Sequence, residues 1–165
     1  MFVVTLPASA ASDPRAYAQR AKNAGADIME IRGDLTPDVD QLDNPIPLLV
    51  SPRGTGDQLI ERLQPQYVDL ELGEQRQTTN DKRQIIRSYH NYQSTPPFDE
   101  LNQVANDLIA TNADIIKIAT TVTSYADLIT LKELHDQIPA DQKRIILGMG
   151  PKAHSNRMLS PLQNE

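Results

Sequence analysis

The chain of 165 residues fits one domain, residues 1–165, and its 39% apolar and 23% charged composition marks a folded globule with room for a core. A net charge of -6 argues against nucleic acid or an anionic membrane as partner, and no run approaches the roughly 18 apolar residues of a membrane span. Cysteine is absent, which excludes disulfides, zinc–thiolate sites and thiol nucleophiles and is compatible with a reducing cytoplasm.

Short β-rich apolar runs recur along the chain at Phe2–Leu6, Asp27–Ile31, Pro47–Ser51, Tyr67–Leu72, Gln84–Tyr89, Asp114–Ala119 and Arg144–Met149. Several are apolar on both faces, which suits a parallel sheet. With no Trp and two Phe, the interior must be filled by Ile, Leu and Val. The N-terminal stretch Met1–Asp13 lacks the basic region of a secretory leader.

Helical patterns alternate with the strands. Asp13–Asn23 opens on a cap followed by a first-turn proline and closes at Gly25. Phe98–Ala110 carries apolar residues at i, i+3 and i+4 spacing, and Ser124–Gln137 repeats the pattern behind a serine cap. The segments Asp38–Asp43, Asp57–Leu63 and Glu74–Arg83 are short and polar, at most two helical turns each. Strands alternating with helices predict an α/β fold of the (β/α)8 TIM-barrel type, shortened. The glycine loops of nucleotide-binding folds are missing, and only Ser160–Glu165 stand where an eighth strand is expected, so the eighth βα unit is expected to be missing.

The polar residues in or just after the strands carry the functional signal. They are Glu30, Arg32, Arg53, Asp69, Glu71, His90 and Lys117, with Met149 ending the seventh strand. In a βα barrel the carboxyl ends of the strands face the mouth, so these positions are expected to converge on one pocket. Lys117 sits among isoleucines, where burial disfavours its charge; a neutral amine there could attack a ketone and form a Schiff base. The alternative is a snorkelling lysine or half of an ion pair, for example with Glu71.

His90, ahead of a polar loop, has the chemistry of a proton shuttle, and equally that of a histidine hydrogen-bonded at a strand end. His135 and His154 are expected at the surface, and no two histidines have metal-ligand spacing. Arg32, Arg53 and Arg157 form a local positive focus suited to a carboxylate or polyhydroxy acid, with an ion pair to Glu30 or Asp34 as the plainer role for Arg32. Gly54 and Gly56 mark a turn or a lid after the third strand.

In order along the chain, six stretches resemble type I 3-dehydroquinate dehydratase (3-dehydroquinase). They are Gly25-Ala-Asp-Ile-Met-Glu-Ile-Arg-Gly-Asp34, Pro47-Leu-Leu-Val-Ser-Pro-Arg53, Tyr67-Val-Asp-Leu-Glu-Leu72, Ile86-Arg-Ser-Tyr-His-Asn-Tyr92 with Thr95-Pro96, Ala113-Asp-Ile-Ile-Lys-Ile-Ala119, and Gly148-Met-Gly150 leading to Ser155-Asn-Arg157. Each motif is weak alone, and the ordered set is specific.

The resemblance implies a lyase of the shikimate pathway, and so of chorismate and aromatic amino acid biosynthesis, that dehydrates 3-dehydroquinate without metal or nucleotide cofactor. It implies Lys117 as the Schiff-base lysine and His90 as general acid/base. It also implies Glu30, Arg32 and Arg53 around the substrate hydroxyls, Arg157 on the carboxylate and Met149 as an apolar wall. The chain departs from the family in having Asp57 where a glutamate is usual, in its thin region from the second helix to the fourth strand, and in lacking a counterpart of the eighth strand. A homodimer is one way to cover the thin flanks. The other readings are a binding barrel without turnover, kept for a cyclic hydroxy-acid or a partner protein, and a class I aldolase, which the Tyr-His-Asn segment and Arg157 fit poorly.

Overall fold

The computed structural model describes residues 2–40, 44–54, 58–74 and 82–153. It contains seven strands, β1 (Val3–Thr5), β2 (Ile28–Arg32), β3 (Leu48–Ser51), β4 (Tyr67–Glu71), β5 (Gln84–Asn91), β6 (Ile115–Thr121) and β7 (Arg144–Met149). Four α-helices accompany them, α1 (Pro14–Asn23), α2 (Gln58–Leu63), α3 (Phe98–Ala110) and α4 (Tyr125–Gln137). Strand order follows chain order, and the pairings β1–β2, β2–β3, β3–β4, β5–β6 and β6–β7 are all parallel. A parallel sheet in chain order with helical crossovers is the shortened (β/α)8 TIM-barrel type. The expected gap at the eighth unit falls on Ser160–Glu165, outside the described residues. Among the described residues no helix is long and apolar enough to cross a membrane.

The chain divides into two compact units, and each is described by itself. The first comprises residues 1–70 and 76–84. Its α1 begins at Asp13, whose Oδ1 accepts from the Ala16 amide at 3.0 Å, with Pro14 in the first turn where a missing N–H costs nothing. The helix ends at Ala24, followed by Gly25 at a φ of 91°. Small Ala18 and Ala21 face inward. On β2 and β3 every described side chain but Arg32 is buried, as continuous apolar strands covered on both faces require.

The second unit comprises residues 71–75 and 85–165. Its core is aliphatic: Ile116, Ile118 and Ile146 from the sheet pack with Leu101, Ala105 and Leu108 of α3 and Leu131 and Leu134 of α4. These helical positions repeat at three and four residues, so each helix turns one apolar stripe to the sheet. Ser124 caps α4 in a reciprocal box. Its Oγ accepts from the Asp127 amide at 3.3 Å while Asp127 Oδ2 accepts from the Ser124 amide at 3.1 Å. Although desolvation opposes it, hydrogen bonds from Thr123 and Ser124 hold the Asp127 carboxyl below its usual pKa.

Two expectations need correction. The first polar segment is not helical over residues 38–40, where Asp38 lies in a turn, because it offers no apolar stripe to bury; residues 41–43 are outside the description. His135 is not a plain surface residue, since its side chain is only 17% exposed. Of the third polar segment, Glu74, Lys82 and Arg83 are non-helical and 75–81 are not described.

Candidate active site

In a strand, alternate side chains point to opposite faces, and residues paired in a parallel ladder share a face. On β6 the residues Ile116 and Ile118 face the helices, which leaves Lys117, Ala119 and Thr121 on the other face. The register pairs Ser88 with Lys117 and His90 with Ala119, and on the other side Lys117 with Ile145 and Thr121 with Met149. Lys117, His90, Ser88 and Met149 therefore share one face of the second unit. Strand spacing and rise put the Cα atoms of His90 and Lys117 about 8 Å apart, within reach of one small molecule.

The His90 side chain is only 8% exposed. Its Nδ1 lies 2.7 Å from Glu71 Oε1. At that distance the carboxylate attracts the imidazole electrostatically, most strongly when the ring is protonated. Tyr92 stacks on the imidazole with centroids 5.8 Å apart and planes 13° from parallel. Beyond His90 the chain turns through Asn91, whose Oδ1 accepts from the amides of Gln93 and Ser94 at 3.0 Å each. Thr95 then ties this loop to the end of β6, its Oγ1 donating to the Thr121 carbonyl at 3.1 Å and lying 2.9 Å from Thr120 Oγ1.

The first unit carries its own polar row. Glu30, 8% exposed, stands opposite Thr5 in the β1–β2 register. Thr5 Oγ1 donates to its Oε2 and Ser51 Oγ to its Oε1, each at 2.6 Å. Short hydroxyl bonds to both oxygens are what a buried carboxylate needs.

Arg32 pairs with Asp34, through Nε at 3.1 Å and Nη2 at 2.7 Å. The hydrogen bond from Arg32, reinforced by its charge, holds the Asp34 carboxyl below its ordinary pKa. Arg53 adopts a φ of 48°, and its Nη2 lies 3.9 Å from Asp69 Oδ2 on a fully buried side chain. Arg157, with Asp57, Gly56 and His154, lies outside the described residues.

The model of the type I 3-dehydroquinase family matches residues 57–164. The chain belongs to that family. Among curated relatives, the 3-dehydroquinate dehydratase of Coxiella burnetii is 37% identical over 95 residues, 58% of this chain and 41% of that protein. The bifunctional 3-dehydroquinate dehydratase/shikimate dehydrogenase of Arabidopsis thaliana is 31% identical over 85% of this chain and 28% of its own. The matched part thus spans about two-fifths of the Coxiella relative's length.

Solved 3-dehydroquinate dehydratases carry the same fold. The 3-dehydroquinate dehydratase of Enterococcus faecalis superposes with a TM-score of 0.81 at 20% identity, covering 98% of this chain and 84% of that one. That of Aquifex aeolicus gives 0.80 at 23% identity, covering 100% and 87%.

Sequence reading picks out Asp69 without assigning its partner and offers Glu71 to Lys117; a contact of Glu71 that it does not anticipate is the one with His90. The pairing of Glu30 with two hydroxyls has a weak signature in sequence, a Thr and a Ser in separate strands with nothing local to join them.

Proposed function

We propose that the chain catalyses the dehydration of 3-dehydroquinate to 3-dehydroshikimate through a Lys117 imine. Lys117 Nζ, as the free amine, adds to the C3 ketone, and the carbinolamine loses water to give a protonated imine. That cation acidifies C2, whose proton passes to His90 and leaves an enamine. His90 returns the proton to the departing C1 hydroxyl, which leaves as water. Hydrolysis of the conjugated imine releases 3-dehydroshikimate and restores the lysine. The electron sink is the imine itself, so the sequence of steps calls for no metal or nucleotide.

Glu30, Arg32 and Arg53 are assigned to the substrate hydroxyls, Arg157 to its carboxylate and Met149 to the apolar wall. Family membership supports the reaction class. The observation that carries the residue assignment is the β5–β6 register, with Ser88 beside Lys117 and His90 two residues further along the same face. A chain without cysteine suits a reducing compartment, and the cytoplasm is where we propose it acts.

The test is borohydride reduction of the protein mixed with 3-dehydroquinate, followed by peptide mass spectrometry and a parallel assay for product. An adduct on Lys117 with product formation is expected, and Lys117→Ala should abolish both. Product formation unimpaired in Lys117→Ala would end the imine mechanism. An adduct without product would favour binding without turnover.

A further inference from the structure

We propose that Thr95 is a positioning residue for His90, its hydroxyl locking the loop between β5 and α3 so that Tyr92 stays stacked on the imidazole. The direction of the hydrogen bonds follows from proton count, since a threonine hydroxyl carries one proton. Thr95 Oγ1 donates to the Thr121 carbonyl at 3.1 Å, so across the 2.9 Å to Thr120 Oγ1 it is Thr120 that donates. Thr120 is fully buried, on the strand that carries Lys117, and Thr95 gives this buried donor its acceptor. The catalytic consequence rests on the reading of His90 as the proton-transfer residue given above.

The loop from His90 to this lock is short and held at both ends. Asn91 fixes its first turn through the amides of Gln93 and Ser94, and the Thr95 hydroxyl fixes its far end, with Tyr92 set between the two. Behind Thr95 come buried Pro96 and then Pro97, which leads into α3 at a φ of -56° and leaves the chain little freedom there. Tyr92 is 63% exposed, so burial does little to keep it in place and the backbone beneath it matters more. Ladder pairing with Ala119 fixes the backbone of His90 but not the tilt of a ring at the end of its side chain. Glu71 meets that ring at one edge, about which it can still rock, whereas Tyr92 lies across its face and opposes the rocking. An imidazole that takes a proton from carbon and returns it to a neighbouring oxygen needs its tilt held, because a misplacement of about 1 Å can cost about 100-fold in rate.

The test uses the full chain with 13C-labelled histidine rings, whose C–H signals are displaced by the ring current of a stacked tyrosine. His90→Asn identifies the His90 signals among the three histidines, and Tyr92→Leu shows where they lie without the stack. Thr95→Val, which keeps the shape and loses the hydroxyl, should move the His90 signals toward their positions in Tyr92→Leu. Thr95→Ser, which keeps the hydroxyl, should leave them near those of wild type.

In turnover, Thr95→Val should lower kcat by about 3- to 30-fold with KM little changed, and Thr95→Ser should recover most of the loss. A second substitution separates position from stability. Thr95→Val leaves the Thr120 hydroxyl buried without its acceptor and should lower Tm; adding Thr120→Val removes that hydroxyl and should restore Tm while kcat stays low. A kcat that recovers together with Tm would show that the lock serves the fold alone and would overturn the proposal. Unchanged His90 signals in Thr95→Val or in Tyr92→Leu, or an unchanged kcat for Thr95→Val in an active protein, would overturn it as well. Should wild type form no product, the proposed reaction fails, while the ring signals still decide whether Thr95 holds Tyr92 on His90.

Discussion

Replacing Ser51 by alanine removes one of the two hydroxyls that satisfy Glu30, and the cost can be worked from burial. Ser51 is fully buried, so water cannot take the place of the lost donor, and Oε1 of a carboxylate only 8% exposed is left bare. A hydrogen bond to a charged group contributes about 1.5–3 kcal/mol, and that full amount is expected here. Thr5 is half-buried and its Oγ1 serves the other oxygen, so Thr5→Val, which keeps the shape, should cost less, about 0.5–1.5 kcal/mol, as solvent partly refills the place.

With a urea slope of about 2 kcal/mol/M, Ser51→Ala should lower the unfolding midpoint by about 0.8–1.5 M. The double variant should depart from the sum of the two, because both donors act on one carboxylate. The assay is equilibrium urea unfolding followed by far-ultraviolet circular dichroism, with KM for 3-dehydroquinate measured alongside. A midpoint shift below about 0.25 M for Ser51→Ala would refute the view that its hydroxyl sustains a buried charge.

Two further outcomes follow from packing and titration. A Cβ added at Gly148 would lie 2.7 Å from Val122 Cγ2 and 3.0 Å from Ala153 Cβ, so Gly148→Ala should cost about 1–3 kcal/mol and lower Tm by about 2–4 °C per kcal/mol in a thermal melt. Combining it with Val122→Ala should recover part of the loss; an unchanged Tm in the single variant would show that the strand gives way freely. Burial, with the Arg144 charge beside it, lowers the His135 pKa below its ordinary 6.5. The unfolded chain therefore binds this proton first, and the contribution of His135 is complete above pH 6.5 and declines as pH falls below it. Stability measured from pH 8 to 5 should lose part of its slope in His135→Gln, and an identical slope would contradict this.

The strands are legible because their apolar runs are continuous, and β7 matches Arg144–Met149 end to end. Sequence reading stops β5 at Tyr89 and β6 at Ala119, yet both ladders run two residues further, to Asn91 and Thr121, since polar side chains at a strand end do not interrupt backbone pairing. The caps at Asp13 and Ser124 are local chemistry and can be read directly. Pairings across strands are another matter. Nothing within a few residues of His90 indicates Glu71, 19 positions earlier in the numbering, because that contact is set by register and by the turn at Gly73.

The alternation along β6 has a consequence for how this protein can change. Ile116 and Ile118 belong to the helix-packed core, while Lys117 and Ala119 look the other way. Neighbouring codons therefore answer to different demands: one set is judged by whether the chain folds, the other by what it does once folded. A substitution at Ala119, itself 2% exposed, must fit the other face of the sheet rather than α3 and α4, and a swap of isoleucine for valine at 118 leaves that other face as it was. Along a seven-residue strand, the side chains held against the helices and those turned to the other face are interleaved one for one.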